Sequence, residues 1–186
     1  MKRKFLLALL ILLAATSAFA WGEKGHLIAN QAAAYGLPAE MPHFLHRAYS
    51  EIVYLGPDPD RWRGGGDSLE ALNPPDHFLD YEYVAHLELP PQRYAFLALL
   101  EQSGTLKERG ISNATAGFLP WRIAEVAELL QLQWQLWRNA EDGSLEKGQV
   151  EENIIQLTGI LGHYVADSAN PHHTTINYNG WVEANP

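Results

Sequence analysis

The sequence predicts an all-α protein, a single multi-helix domain, on three observations. Apolar residues recur at three- and four-residue spacing in five stretches of the chain. Several of these stretches start beside Pro or stop at Gly or Pro, as helices do. No stretch of useful length alternates apolar with polar residues as a half-buried strand would.

The first twenty residues stand apart from the domain. "MKRK" is a basic start, "FLLALLILLAA" an apolar run, and "TSAFA" ends in the small-residue pattern of a cleavage site. The apolar run is shorter than the roughly 20 residues that a spanning helix needs. Residues 1–20 are therefore expected to be a signal peptide, leaving Trp21 as the new N-terminus of a secreted or periplasmic domain over 21–186. No stable membrane span is expected after that cleavage.

The helical stretches follow in order. "GHLIANQAAAYG" is Ala-rich and stops at Gly36. "PAEMPHFLHRAYSEIVYLG" carries the stripe Phe44, Leu45, Tyr49, Ile52 and Val53. The Gly- and Pro-rich segment from Gly56 to about residue 76 reads as a long loop, and loops of that length inside a domain are often functional. "PPQRYAFLALLEQSG" begins after Pro and ends at Gly104. "LPWRIAEVAELLQLQWQLWRN" is the longest amphipathic run, and Trp121, Trp134 and Trp137 on it are expected to be core residues. The last helix carries Val150, Ile154, Leu157, Leu161, Tyr164 and Val165 and is ended by Pro171.

Composition narrows the function. Loss of Lys2, Arg3 and Lys4 with the leader takes the formal net charge from −9 to −12, a poor surface for polyanions unless bound cations offset it. The chain has no Cys, so an exported domain must be cross-linked by something other than disulfides, and metal ions are the obvious substitute.

The end of the last helix concentrates metal-binding chemistry. In "LGHYVADSANPHH", His163 and Asp167 are four apart and share a helix face, and the turn after Pro171 can fold His172 or His173 toward it. Other such residues fall on structural breaks: His26 after "WGEKG", Asp58 and Asp60 in "GPDPDRW", and His77 in "PPDHFLD". Each has an ordinary explanation as a helix-start polar residue, turn former or surface His. All of them together strain that explanation.

The ordered set "WGEKGH", "PDPD", "DHFLD" and "HYVADSANPHH" resembles the superfamily of zinc-dependent phospholipases C and single-strand-specific zinc nucleases, over Trp21 to about Trp181. The resemblance implies an all-α fold around a polynuclear cleft that holds three zinc ions. It implies that Trp21, through its own α-amine and carbonyl, binds one zinc with His26. It further implies that Asp58, His77 and His163 bind a second, that Asp167 bridges these two ions, and that His173 is the first protein ligand of a third. Asp58 and Asp167 are the carboxylates placed at the reacting centre. Asp60 remains an alternative to Asp58, and His172 an alternative to His173. Paired zinc ions suit phosphoryl chemistry, because they acidify water and neutralise charge on the attacking and leaving oxygens.

The family's further downstream His and acid have no counterpart after His173, so the domain reads as incomplete at its C-terminus. Two zinc sites are complete, and poor or no hydrolysis of phosphodiesters is expected of the chain as it stands. The expected substrate is a phosphodiester, with a lean to single-stranded nucleic acid or nucleotides because the step from Trp21 to His26 is as short as in the nucleases. A phospholipase C cleaving phospholipid headgroups is the alternative, and a non-catalytic helical domain with structural zinc is the third reading. Trp62, Tyr81, Tyr83 and Tyr178 are candidate stacking residues. No protein partner is implied.

Overall fold

The computed structural model of the chain describes residues 22–108, 110–178 and 180–182, so the leader and Trp21 lie outside the described residues. Among these, every extended element is helical, and the β-type pairing is an isolated bridge between Tyr178 and Gly180. The α-helices are α1 (Glu23–Tyr35), α2 (His43–Arg47), α3 (Tyr49–Leu55), α4 (Asp58–Arg61), α5 (Asp67–Leu72), α6 (Arg93–Ser103), α7 (Thr105–Glu108), α8 (Leu119–Asn139) and α9 (Leu145–Ser168). No helix among the described residues is long and apolar enough to cross a membrane.

The long helices end where their chemistry says they must. The Gly36 N–H closes α1 on the Ala32 and Ala33 carbonyls. Gly104 closes α6 in the left-handed conformation, at φ 68°, that costs Gly least. Ser144 caps α9, its Oγ accepting the Lys147 N–H at 3.1 Å. Pro171 lies just beyond the end of α9 and cannot continue it.

Two expectations change. The stripe from Phe44 to Val53 is broken at Ala48 into α2 and α3, yet Phe44, Leu45 and Ile52 still pack in one cluster with Val150 and Ile154 of α9. The predicted loop over 56–76 is instead folded into α4, a 3-10 turn at Trp62–Gly64, α5 and a 3-10 turn at Pro74–His77. Its prolines sit at helix starts, where the missing N–H is not needed, and its glycines separate the turns. Composition alone cannot separate a loop from a chain of short turns.

α9 is the central helix and packs against α8, α1 and α3. Two of its glycines set how closely the others approach. A Cβ on Gly159 would stand 2.4 Å from Leu55 Cβ, and one on Gly162 would stand 2.2 Å from Asn30 Oδ1. Asn30, buried on α1, donates from Nδ2 to the Ile52 and Gly159 carbonyls at 2.7 and 2.9 Å, tying three helices together. Next to this contact, His26 of α1 stacks on His163 of α9 with ring centroids 3.8 Å apart.

The apolar core lies in three clusters. Leu79, Val84, Phe96, Leu100, Leu106, Ala116, Phe118 and Trp121 form one, around α6 and the start of α8. The second is the α2–α3–α9 group, which Trp134 and Trp137 border half-buried. The third joins Leu119 and Val126 of α8 to Ile160 and Tyr164 of α9.

Candidate metal centre

Four separate pieces of backbone deliver the polar cluster. α1 brings His26, α4 brings Asp60, the 3-10 turn Pro74–His77 brings His77, and α9 brings His163 and Asp167 one turn apart. The His77 turn is pinned from outside by Asp76, whose Oδ1 takes Arg93 Nη1 at 2.6 Å, while Arg93 also grips Glu125 through Nε and Nη2. His173 follows on the 3-10 turn Pro171–His173, and its carbonyl accepts the Leu79 N–H at 2.9 Å.

Asp167 is the hub, with its two oxygens facing different imidazoles. Oδ2 lies 3.0 Å from His77 Nδ1 and 3.1 Å from His163 Nε2. Oδ1 lies 3.4 Å from His26 Nε2 and 3.7 Å from His173 Nε2. Asp60 stands across from it, 3.6 Å from His26 Nε2 and 3.8 Å from His77 Nδ1. Two sets have donor atoms all within 4.8 Å of one another: His26, His163 and Asp167, and Asp60, His77 and His163. These buried His and Asp groups could hold a metal ion.

The outward-facing nitrogens determine which atoms face the centre. His163 Nδ1 lies 2.7 Å from the Gly56 carbonyl, His77 Nε2 lies 2.9 Å from Asn73 Oδ1, and His173 Nδ1 lies 2.7 Å from the His77 carbonyl. All three partners are acceptors, so each of these nitrogens must carry a proton and donate it. In the neutral rings the inner nitrogens are then bare lone pairs. His77 Nδ1 and His163 Nε2 are 2.9 Å apart, both against the same carboxylate oxygen. A single proton serves one of these three contacts, whereas a cation between them serves all. Donors bonded at 2.0–2.2 Å to one tetrahedral ion lie roughly 3.3–3.6 Å apart, so the triangle needs to open only slightly.

Electrostatics pose the same requirement. Burial, reinforced by His163, outweighs the pull of Asp167 and Asp60 and lowers the His26 pKa from 6.5 to about 4. His77 is lowered too, by burial first, against the attraction of Asp167. Burial resists the charge on Asp167, but its contacts with His163 and His77 hold its carboxyl well below the usual carboxylate range. A carboxylate that stays charged beside His26 and His77, both of which resist charging, suits a bound cation. Asp167 Oδ1 and His26 Nδ1 are also buried without a hydrogen-bond partner, which is costly unless something else binds there.

The site therefore gathers His26, His77, His163, Asp167 and, at its edge, His173. Asp58, placed by the resemblance at the second ion, is not among them. Its Oδ1 faces Arg61 Nη1 at 3.3 Å, and Arg61 in turn reaches Glu23 at 2.7 Å. Asp60 occupies the place instead, because residues two apart on a helical turn point about 200° from each other. His172 turns away, Nδ1 donating to the Tyr178 carbonyl at 3.0 Å, so His173 is the one of the pair that faces Asp167. Trp21 lies outside the described residues.

Three contributors are not apparent from the sequence pattern. Asn73 and the Gly56 carbonyl hold imidazoles from behind, and Arg63 places Nη2 3.1 Å from Asp60 Oδ1. The spacing of Asn73 four before His77 is a signal of sorts, but "NPPDH" reads as a break and hides it. No family model, curated protein or solved structure gives a significant match to this chain.

Proposed function

We propose that the chain is an exported zinc-dependent hydrolase of phosphate ester bonds, a phosphodiesterase acting on single-stranded nucleic acid or nucleotides. The observation that carries this reading is the division of Asp167, with one carboxylate oxygen turned to His26 and the other to His77 and His163. A carboxylate so placed suits a bridge between two ions. His26 and Asp167 would hold one, joined by the Trp21 α-amine if the leader is removed after Ala20. Asp60, His77, His163 and Asp167 would hold the other.

Imidazole and carboxylate donors without Cys fit zinc. Zinc there would supply Lewis acidity to a phosphoryl group and water acidified to a pKa near 7. The residues of the chain do the rest. His26, His163 and Asp167 are buried, which keeps bulk water from the back of the centre. Asp60, at 30% exposure, and His173, at 19%, form its open side. There Arg63, 46% exposed, offers a guanidinium to an anionic ester in an otherwise acidic protein.

The test pairs elemental analysis with a chromogenic phosphodiester assay on the mature chain. About two zinc ions per chain and weak hydrolysis, abolished by chelation and restored by zinc, are expected. Full zinc occupancy with no cleavage of nucleotide, nucleic-acid or phospholipid esters would leave structural zinc as the correct reading. Failure to bind zinc at all would remove the proposal.

A further inference from the structure

The amide of Asn73 lies behind the cluster and joins two of the segments that build it. Asn73 is buried between α5 and the 3-10 turn Pro74–His77. Its Nδ2 donates to the Pro59 carbonyl at 2.6 Å, and its Oδ1 accepts from His77 Nε2–H at 2.9 Å. Pro59 lies between Asp58 and Asp60, so one side chain spans the turn that carries Asp60 and the turn that carries His77. The amide has one workable orientation. Flipped, its oxygen would face the Pro59 carbonyl and its NH2 would face His77.

We infer that Asn73 is a positioning residue of the centre: it holds the proton of His77 on Nε2 and so commits the Nδ1 lone pair to the metal. The inference rests on the metal reading above and goes beyond it by assigning a role to a residue outside the ligand set. The outward nitrogens of His163 and His173 are held by backbone carbonyls, which no side-chain substitution removes. At His77 the same task falls to a side chain, so among these three imidazoles His77 is the one a substitution can release. Partners of this kind orient metal-bound imidazoles and raise their basicity, and their loss typically weakens metal binding roughly 10–100-fold.

The experiment compares wild type, Asn73→Ala and Asn73→Asp by competition titration with zinc and by 15N-edited NMR of the His77 ring. In zinc-loaded wild type, His77 Nε2–H is expected as a protected downfield proton. Asn73→Ala should lose that signal to exchange and bind zinc roughly 10–100-fold more weakly. Asn73→Asp keeps an acceptor for His77 but no donor for Pro59, and should regain both the signal and most of the affinity. An Asn73→Ala protein that binds zinc like wild type overturns the inference. So does an Asn73→Asp protein as weak as Asn73→Ala, since the work would then lie at Pro59. If Asn73→Ala does not fold, an unprotected His77 Nε2–H in wild type overturns it alone. If wild type takes up no zinc, the metal reading fails, while the protected proton, present in wild type and lost in Asn73→Ala, still decides the hydrogen bond.

Discussion

Two buried regions of this protein are held together in opposite ways. Around α6 and the start of α8, Leu79, Val84, Phe96, Leu100, Leu106, Phe118 and Trp121 pack with little polar content beyond Trp121 Nε1, which donates to the Pro90 carbonyl. At the end of α9, His26, Asn30, Asn73, His77, His163, Asp167 and Asn170 are buried as deeply, and almost every contact is directional. Apolar packing is additive and forgiving, since a lost methylene costs about what its contacts were worth. A polar cluster fails as a unit, because removing one partner strands the others without water. The first region needs nothing from solution. The second could hold a metal ion.

The largest expected effect comes from the hub of the polar region. Asp167→Asn removes the one charge that faces all four imidazoles. Zinc should fall from about two per chain to near none, with activity, and the melting temperature should drop by roughly 10 °C. Elemental analysis and calorimetry read both. Retention of both ions by Asp167→Asn would reduce Asp167 to an ordinary partner of His163 and erase the contrast.

A comparable loss of stability should come from the apolar region with the opposite zinc result. Phe96→Ala empties a site where the ring stacks on Trp121 at 3.9 Å, and should cost about 3–5 kcal/mol in denaturant unfolding. Zinc per folded chain should stay unchanged. If zinc falls with it, the two regions are one cooperative unit.

Acid sharpens the comparison in the zinc-free protein. His26 has a folded pKa of about 4 against 6.5 unfolded, so between these values the unfolded chain binds more protons. Stability should therefore hold above pH 6.5 and fall as pH drops from 6.5 toward 4, by about 3 kcal/mol from His26 alone. His77, lowered as well, acts in the same direction, and Asp167 continues the loss at lower pH. Hydrogen exchange near pH 5 should show α1 and the end of α9 opening before α6. Equal loosening of both regions would contradict the assignment.

The smallest effect separates neighbouring carboxylates. Asp58→Asn breaks an exposed pair with Arg61, and stability and zinc should barely change. Asp60→Asn should cost about one zinc per chain. The reverse pattern in elemental analysis would restore Asp58 as the ligand.

The boundaries of α1, α6, α8 and α9 were legible because local chemistry marks them: Gly36, Gly104, Pro120 and Pro171 each act within about one turn of their own position. His163 and Asp167 were legible as a pair because helical spacing alone puts them on one face. The break at Ala48 and the turns over 56–76 were not, since Pro and Gly there mark changes of direction without saying which turn follows.

What the sequence by itself determined is an all-α chain with an inventory of His and Asp at its structural breaks, for these depend on periodicity and on residues near in the chain. Which carboxylate turns inward, which of His172 and His173 faces Asp167, and what stands behind each imidazole were decided only by the tertiary structure. Those choices depend on contacts across long stretches of chain: Gly56 to His163, His77 to Asp167, Asn30 to Gly159. The contacts exist because Gly159 and Gly162 let three helices close on one another, and no local spacing rule encodes that approach.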